Sequence, residues 1–256
     1  MDIIQAIVLG IIQGIFEWLP ISSEGQSMLI LLNAFHMNVE EALSFAIFMH
    51  LGTSFAVMIK FWKEFRSILS GKDHKLTSII VISTVCTGLT GLPLYFILKN
   101  TFTGGITATL LIGILLVLTG IILGLNKGKG HKTMDSVTRF DMIILGLVQG
   151  FAILPGISRS GVTLTTLLLR NVEQKTALVI SFLISVPVVL GAVALDAGMI
   201  FTIDPLQGLA LFLSSLLIGY LMMDFLMRFA ERVDFSLFCI SLGGLTIILA
   251  GGYYIL

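Results

Sequence analysis

The sequence predicts an all-α integral membrane protein of two inverted repeats, with six transmembrane helices and two re-entrant helix–break–helix hairpins. Three observations carry that prediction. The first is composition: 56% of the 256 residues are hydrophobic, 12% are charged, and mean hydropathy is +1.04. Soluble domains carry about a quarter charged residues. The second is an internal echo. Val8-Leu9-Gly10-Ile11-Ile12-Gln13-Gly14 returns as Ile144-Leu145-Gly146-Leu147-Val148-Gln149-Gly150, and Ser22-Ser23-Glu24-Gly25 falls on Ser158-Arg159-Ser160-Gly161 at the same offset of 136 residues. Pro20 and Pro155 fall one place out of that register. The third is the placement of cations in the loops.

Taken in order, the first segment, Ile3–Ala34, is too long for one span and too short for two. Met1-Asp2-Ile3 lacks the basic start of a cleaved leader, so this segment is expected to be retained. It breaks at Pro20-Ile21-Ser22-Ser23. Proline removes a helical hydrogen bond and disfavours helix before it, while serine caps the helix that follows. Three runs of simple spanning length come next, at Glu41–Trp62, Leu76–Leu98 and Ile106–Leu125. Phe140–Leu169 repeats the first pattern and breaks at Pro155-Gly156-Ile157-Ser158. Ala177–Met199, Leu206–Met227 and Phe235–Ile255 complete the second set. Repeat one is therefore 1–126, repeat two 138–256, and 127–137 a basic linker, all within one membrane domain.

Thirteen of the fifteen Lys and Arg lie in four clusters: Lys60–Lys75, Lys127–Arg139, Arg170 with Lys175, and Arg228 with Arg232. If the broken segments each crossed the membrane, these clusters would divide between its two sides. If both are re-entrant, all four clusters share a side and only Lys99 stands opposite. Cytoplasmic loops carry the excess of Lys and Arg, so the second arrangement is expected, with the basic loops inside and both termini outside. Each repeat then has three crossings, which inverts one copy relative to the other. The two broken tips would meet near the midplane, where inverted-repeat transporters bind their substrates. The Gly-x-x-x-Gly pairs Gly10/Gly14, Gly120/Gly124 and Gly146/Gly150 suit close helix packing.

The two tips differ chemically. Gln13 and Glu17 share one helix face, but the second copy has Ile153 where Glu17 would fall. The second copy has Arg159 where the first has Ser23. One half supplies carboxylates and the other a guanidinium, as a composite site with one asymmetric task requires. A buried Glu17–Arg159 pair that only holds the halves together is the alternative. Free N–H groups at the helix starts behind Ser22, Ser23, Ser158 and Ser160 would bind an anion. Arg159 adds a planar fork suited to phosphate oxygens. Gly25, Gly156 and Gly161 allow close backbone approach. Cys86 and Cys239 sit among apolar residues and suggest no disulfide or metal site. Zero net charge gives no electrostatic footprint for nucleic acid.

Gln13-x-x-x-Glu17 and Pro155-Gly156-Ile157-Ser158-Arg159-Ser160-Gly161-Val162-Thr163 resemble the two signatures of the undecaprenyl-diphosphate phosphatase, or bacitracin-resistance protein, family. The resemblance runs the length of the chain. It implies removal of the terminal phosphate of a polyprenyl diphosphate at the outer face of the plasma membrane, which regenerates a lipid carrier. It also implies Ser23 as nucleophile, Arg159 as phosphate clamp, and a divalent cation, Mg or Ca, held through Glu17. Gln13, Ser22, Gly25, Gln26, Ser158, Ser160, Gly161 and Thr163 are implied to contact phosphate. A homo-oligomer is compatible with all of this.

One position departs from the pattern. The family reads SerSerxGlyHis, and this chain has Gln26 in place of that histidine, which is the family's candidate general base. Glutamine accepts no proton, so either Ser23 is not the nucleophile or the base lies elsewhere, at Glu24, adjacent to Ser23, or at His50, mid-span in Phe48-Met49-His50-Leu51-Gly52, where a helix-packing role is the alternative. His36, His74 and His131 fall in loops. Two other readings stand beside hydrolysis: a polyprenyl-phosphate or other anionic-lipid translocase, and a homologue that binds lipid without hydrolysing it.

Overall fold

The computed structural model describes residues 1–101, 105–125, 130–230 and 235–255. Lys127, Lys129 and Arg232, and with them the start of the basic linker, lie outside the described residues. The described residues are mostly helical, in the order α1 (Ile3–Phe16), α2 (Ser23–Asn33), α3 (Val39–Lys60), α4 (Trp62–Leu69), α5 (His74–Thr101), α6 (Gly105–Gly124), α7 (Arg139–Gly150), α8 (Arg159–Leu169), α9 (Gln174–Leu195), α10 (Ala197–Ile200), α11 (Pro205–Ala230) and α12 (Phe235–Ile255). Six of them, α3, α5, α6, α9, α11 and α12, are long and apolar enough to cross a membrane. They match the six expected spans within a few residues at each end. The ninth helix stops at Leu195 because Asp196 turns inward, where its Oδ1 accepts from Tyr95 Oη at 3.0 Å and Lys99 Nζ at 3.3 Å. Within the basic stretch Lys60–Lys75, expected as a loop, the structure forms the amphipathic α4.

Both broken segments are broken where expected. Pro20 and Pro155 lie outside helices, and α2 and α8 begin directly after Ser22 and Ser158, whose hydroxyls accept from the N–H groups of Gly25 and Gly161. In each segment the second helix packs back on the first. The first helix of each packs on a spanning helix from the other half of the chain, α1 on α11 and α7 on α5. Glycine sets both contacts. A Cβ on Gly14 would lie 2.7 Å from Gly219 N, and one on Gly150 would lie 2.7 Å from Gly91 N. A third seam joins α6 to α12, where a Cβ on Gly120 would meet Ser236 O at 2.6 Å.

Large apolar side chains remain on the outside of this bundle, among them Val85, Leu89, Phe96, Ile114, Leu217 and Ile248. An apolar exterior of that extent fits lipid and not water. The chain is a multi-pass helical membrane protein.

The loop end of α7 carries a polar latch. Asp141 is fully buried, accepts from Thr138 N at 2.9 Å, Lys132 Nζ at 3.1 Å and Arg170 Nε at 2.6 Å, and so ties the start of α7 to the end of α8. Burial alone would raise its pKa, but the Thr138, Arg170 and Lys132 hydrogen bonds outweigh that and hold the carboxyl well below the usual carboxylate range. A carboxylate depressed on folding stabilises the fold above its unfolded value and loses that contribution as pH falls. Asp141→Ala should therefore destabilise the protein at neutral pH by about 3 kcal/mol, the low end for a broken buried pair, because Arg170 and Lys132 reach water. Thermal unfolding in detergent measures this, and the gap between variant and parent should narrow as pH falls below about 4.

Candidate active site at the crossed tips

The two breaks meet inside the bundle. Gly156 N donates to Ser22 Oγ at 3.1 Å, and Ser160 Oγ donates to Leu19 O at 3.4 Å. A Cβ on Gly25 would lie 2.9 Å from Gly156 N, so these glycines let the tips touch through their backbones. Gly156 has φ +110°, a conformation open to glycine and strained for other residues. Ser22 itself is left-handed at φ 58°, ψ 78°. For a residue with a Cβ that costs about 1–2 kcal/mol, which its two accepted N–H bonds offset. Thr119 of α6 secures the second tip, donating to Gly156 O at 2.8 Å and accepting from Ser158 N at 3.1 Å.

Glu17 is the hub, and its side chain is only 5% exposed. Its Oε1 takes the Arg159 guanidinium from the opposite tip. Its Oε2 accepts from Gln13 Nε2 at 2.9 Å and Ser23 Oγ at 2.8 Å, with His50 Nε2 at 3.3 Å. Arg159 also donates through its other terminal nitrogen to Ser181 O at 3.3 Å.

His50 reaches this hub from α3. Its Nδ1 lies 2.7 Å from Ala46 O, a carbonyl that can only accept, so Nδ1 carries a hydrogen. In the neutral ring Nε2 is then a bare acceptor 3.4 Å from Ser23 Oγ, and the one hydrogen of that hydroxyl, given to Glu17 Oε2 here, reaches Nε2 by rotation about the C–O bond. Ser23 thus stands between a carboxylate and an imidazole, at the first turn of a helix. Such a setting can activate a hydroxyl as a nucleophile.

The site opens into a cavity of about 230 Å³. Glu17, Ser23, Glu24, His50, Arg159 and Ser160 line one end, together with Ser22 and Ser158. From there it runs between α5 and α9, past Gly88, Leu92 and Val188, to Tyr95 and Leu195. The remaining sequence-derived candidates support the tips without lining the cavity. Gln13 holds Glu17. Gly25 gives the close approach, and Gly161 N donates to Ser158 Oγ at 3.1 Å. Thr163 Oγ1 donates to Arg159 O at 2.8 Å and pairs with Ser181 Oγ at 2.6 Å. Gln26 Nε2 donates to Ile21 O at 3.2 Å and braces the first turn.

Reading the sequence missed Ser181, Thr119, Thr84 and Thr87. Each is a lone hydroxyl within an ordinary span, a type so common in membrane helices that spacing gives no reason to single it out.

Comparison with known proteins agrees with the resemblance in the motifs. Residues 6–248 match the family model described as bacitracin resistance protein BacA. The chain belongs to this family. A Methanothrix thermoacetophila protein named undecaprenyl-diphosphatase is 50% identical over 251 residues, covering 97% of each chain. Proteins of the same name from Methanococcoides burtonii and Carboxydothermus hydrogenoformans are 37% and 35% identical, covering 97% and 91% of this chain and 98% and 90% of theirs. Within the bacitracin-resistance family frame, both signature segments of this chain fall at the crossed tips, and its departure at Gln26 coincides with an imidazole that reaches the same serine from α3.

Proposed function

We propose that this protein hydrolyses a polyprenyl diphosphate of the undecaprenyl type to the monophosphate and inorganic phosphate. The observation that carries the reading is Ser23 set between Glu17 and His50 and facing Arg159 from the opposite tip, within a cavity whose long wall is apolar. In the bound state Arg159 and the N–H groups at the starts of α2 and α8 hold the diphosphate. Leu92, Val188 and Leu195 flank the first part of the prenyl chain.

Ser23 Oγ attacks the terminal phosphorus and its proton passes to His50 Nε2. The bond from that phosphorus to the bridging oxygen breaks, and prenyl monophosphate leaves with the bond's electron pair. Water then cleaves the phosphoserine and restores the hydroxyl. Glu24 is the other base considered, but the hydrogen bonds of Ser23 run to Glu17 and His50. A divalent cation, Mg or Ca, belongs to this reading and would offset diphosphate charge, with Glu17 the ligand that the motif implies.

The reading includes a topology. The halves 1–126 and 138–256 are inverted repeats, and α1–α2 and α7–α8 are re-entrant hairpins. The reciprocal packing of α1 on α11 and α7 on α5 supports it, as does the loop charge. With the basic loops inside, the cavity reaches toward the outer ends of α5 and α9, so phosphate is released outside.

Two measurements test the proposal. Purified protein should release inorganic phosphate from a polyprenyl diphosphate in detergent, and lipid movement in vesicles without phosphate release would instead establish a translocase. Lys72→Cys in an otherwise cysteine-free chain should resist an impermeant thiol reagent in intact cells and react after lysis. Labelling from outside would overturn the topology.

A further inference from the structure

We infer that the cation site of this protein draws on Glu24, Gln149 and Thr84, which line the same cavity, and not on Glu17, and that it takes a hard divalent cation. The inference rests on the diphosphatase reading for its purpose, but its geometry stands independently. Glu17 has little to offer a metal. One oxygen takes Arg159, the other takes Gln13 and Ser23 with His50 close by, and a cation there would sit against a guanidinium. Three other oxygens on the same cavity have no partner at all: Glu24 Oε1, Gln149 Oε1 and Thr84 Oγ1.

Gln149 is the decisive group. It is 1% exposed, and its Nε2 donates to Thr87 Oγ1 at 2.9 Å. The Thr87 hydrogen is already directed to the carbonyls of Ser83 and Gly146, at 2.8 and 3.1 Å. Thr87 must therefore accept from Gln149, which fixes the amide and leaves its carbonyl oxygen as a bare acceptor. Gln13, the residue at the matching place in the first half, instead uses its amide on Glu17, and its own unpartnered Oε1 lies off the cavity. Thr84 is equally unusual, since a helical threonine normally returns its hydroxyl to the preceding turn.

Charge points the same way. Arg159 is paired with Glu17, and among the described residues the buried Glu24 carboxyl has no ion-pair partner. A buried charge without a partner is costly. Carboxylate, amide carbonyl and hydroxyl oxygens are the ligand types of Mg²⁺ and Ca²⁺. Among the described residues no three His, Cys, Asp or Glu side chains form a preformed cage. Mg²⁺ is commonly held by one or two carboxylates, waters and the phosphates of the substrate.

The test uses Mn²⁺ as a paramagnetic probe on purified full-length protein without substrate, with Mg²⁺ as competitor. Saturable Mn²⁺ binding is expected. Glu24→Gln and Gln149→Met should each weaken it by about tenfold or more, the effect of losing one charge-assisted contact, while Glu17→Gln leaves it within about twofold of the parent. Thr84→Val, close to isosteric, should weaken it measurably even if Gln149→Met fails to fold. Abolition of binding by Glu17→Gln with Glu24→Gln unaffected would return the site to Glu17 and overturn the inference. Absence of saturable binding in the parent would also overturn it, because Glu24 would then hold a proton. Phosphate release assayed on the same preparations separates the outcomes: turnover without the expected binding pattern removes only the cation site, and no turnover removes the diphosphatase reading.

Discussion

Arg159→Lys lowers kcat for phosphate release by about a hundredfold to a thousandfold, the loss that follows removal of a donor aimed at developing negative charge. The guanidinium spans the two halves of the site, with one nitrogen on Ser181 O and the other on Glu17. A diphosphate entering the cavity competes for the fork with Glu17, and a planar fork engages two phosphate oxygens at once. Lysine keeps the charge but offers a compact ammonium that cannot make that bidentate contact. The carbonyl of Ser181 would lose its donor as well. Steady-state release of phosphate by detergent-purified variant and parent, at matched folded fraction, measures the effect. Near-parental turnover combined with a lowered unfolding temperature would show that Arg159 serves only as a structural tie between the tips.

His50→Ala lowers kcat by about a hundredfold to ten-thousandfold while the fold is retained, the range for loss of a general base. The imidazole is oriented by Ala46 O at Nδ1, meets Ser23 and Glu17 through Nε2, and lines the cavity, so alanine removes those polar contacts and leaves space there. Ser23→Ala provides the companion measurement. If Ser23 is the nucleophile and His50 its base, the double variant is no slower than the slower single variant, because residues acting as a unit are not additive. Additive losses would separate the two roles, and water would then be the attacking group with Ser23 a phosphate ligand. Full activity in His50→Ala would remove the imidazole from the reaction altogether.

Much of this arrangement was legible in the chain. The six spans follow from runs of apolar residues of bilayer length, and the two breaks follow from proline placed just before a capping serine. The Pro-Gly-x-Ser-Arg-Ser segment and Gln13-x-x-x-Glu17 marked the candidate site, and the Glu17–Arg159 pair that the sequence offered as an alternative to a composite site is present. Those are local patterns, written in residues that are neighbours along the helix. The partners of those residues lie far off in sequence. Spacing gave no reason to prefer His50 over Glu24, since 27 positions separate His50 from Ser23; the choice depends on how α3 lies against the first tip. Ser181 and Thr119 are undistinguished hydroxyls until α9 and α6 carry them to Arg159 and Gly156. Gln149 is only the echo of Gln13 until the hydrogen bonds of Thr87 fix the orientation of its amide. A polar pair of tips within an apolar helical protein can be read from the chain alone, because propensity and hydropathy act locally. Which distant groups meet those tips follows from packing, because a hydrogen bond between elements depends on an arrangement that no single segment encodes.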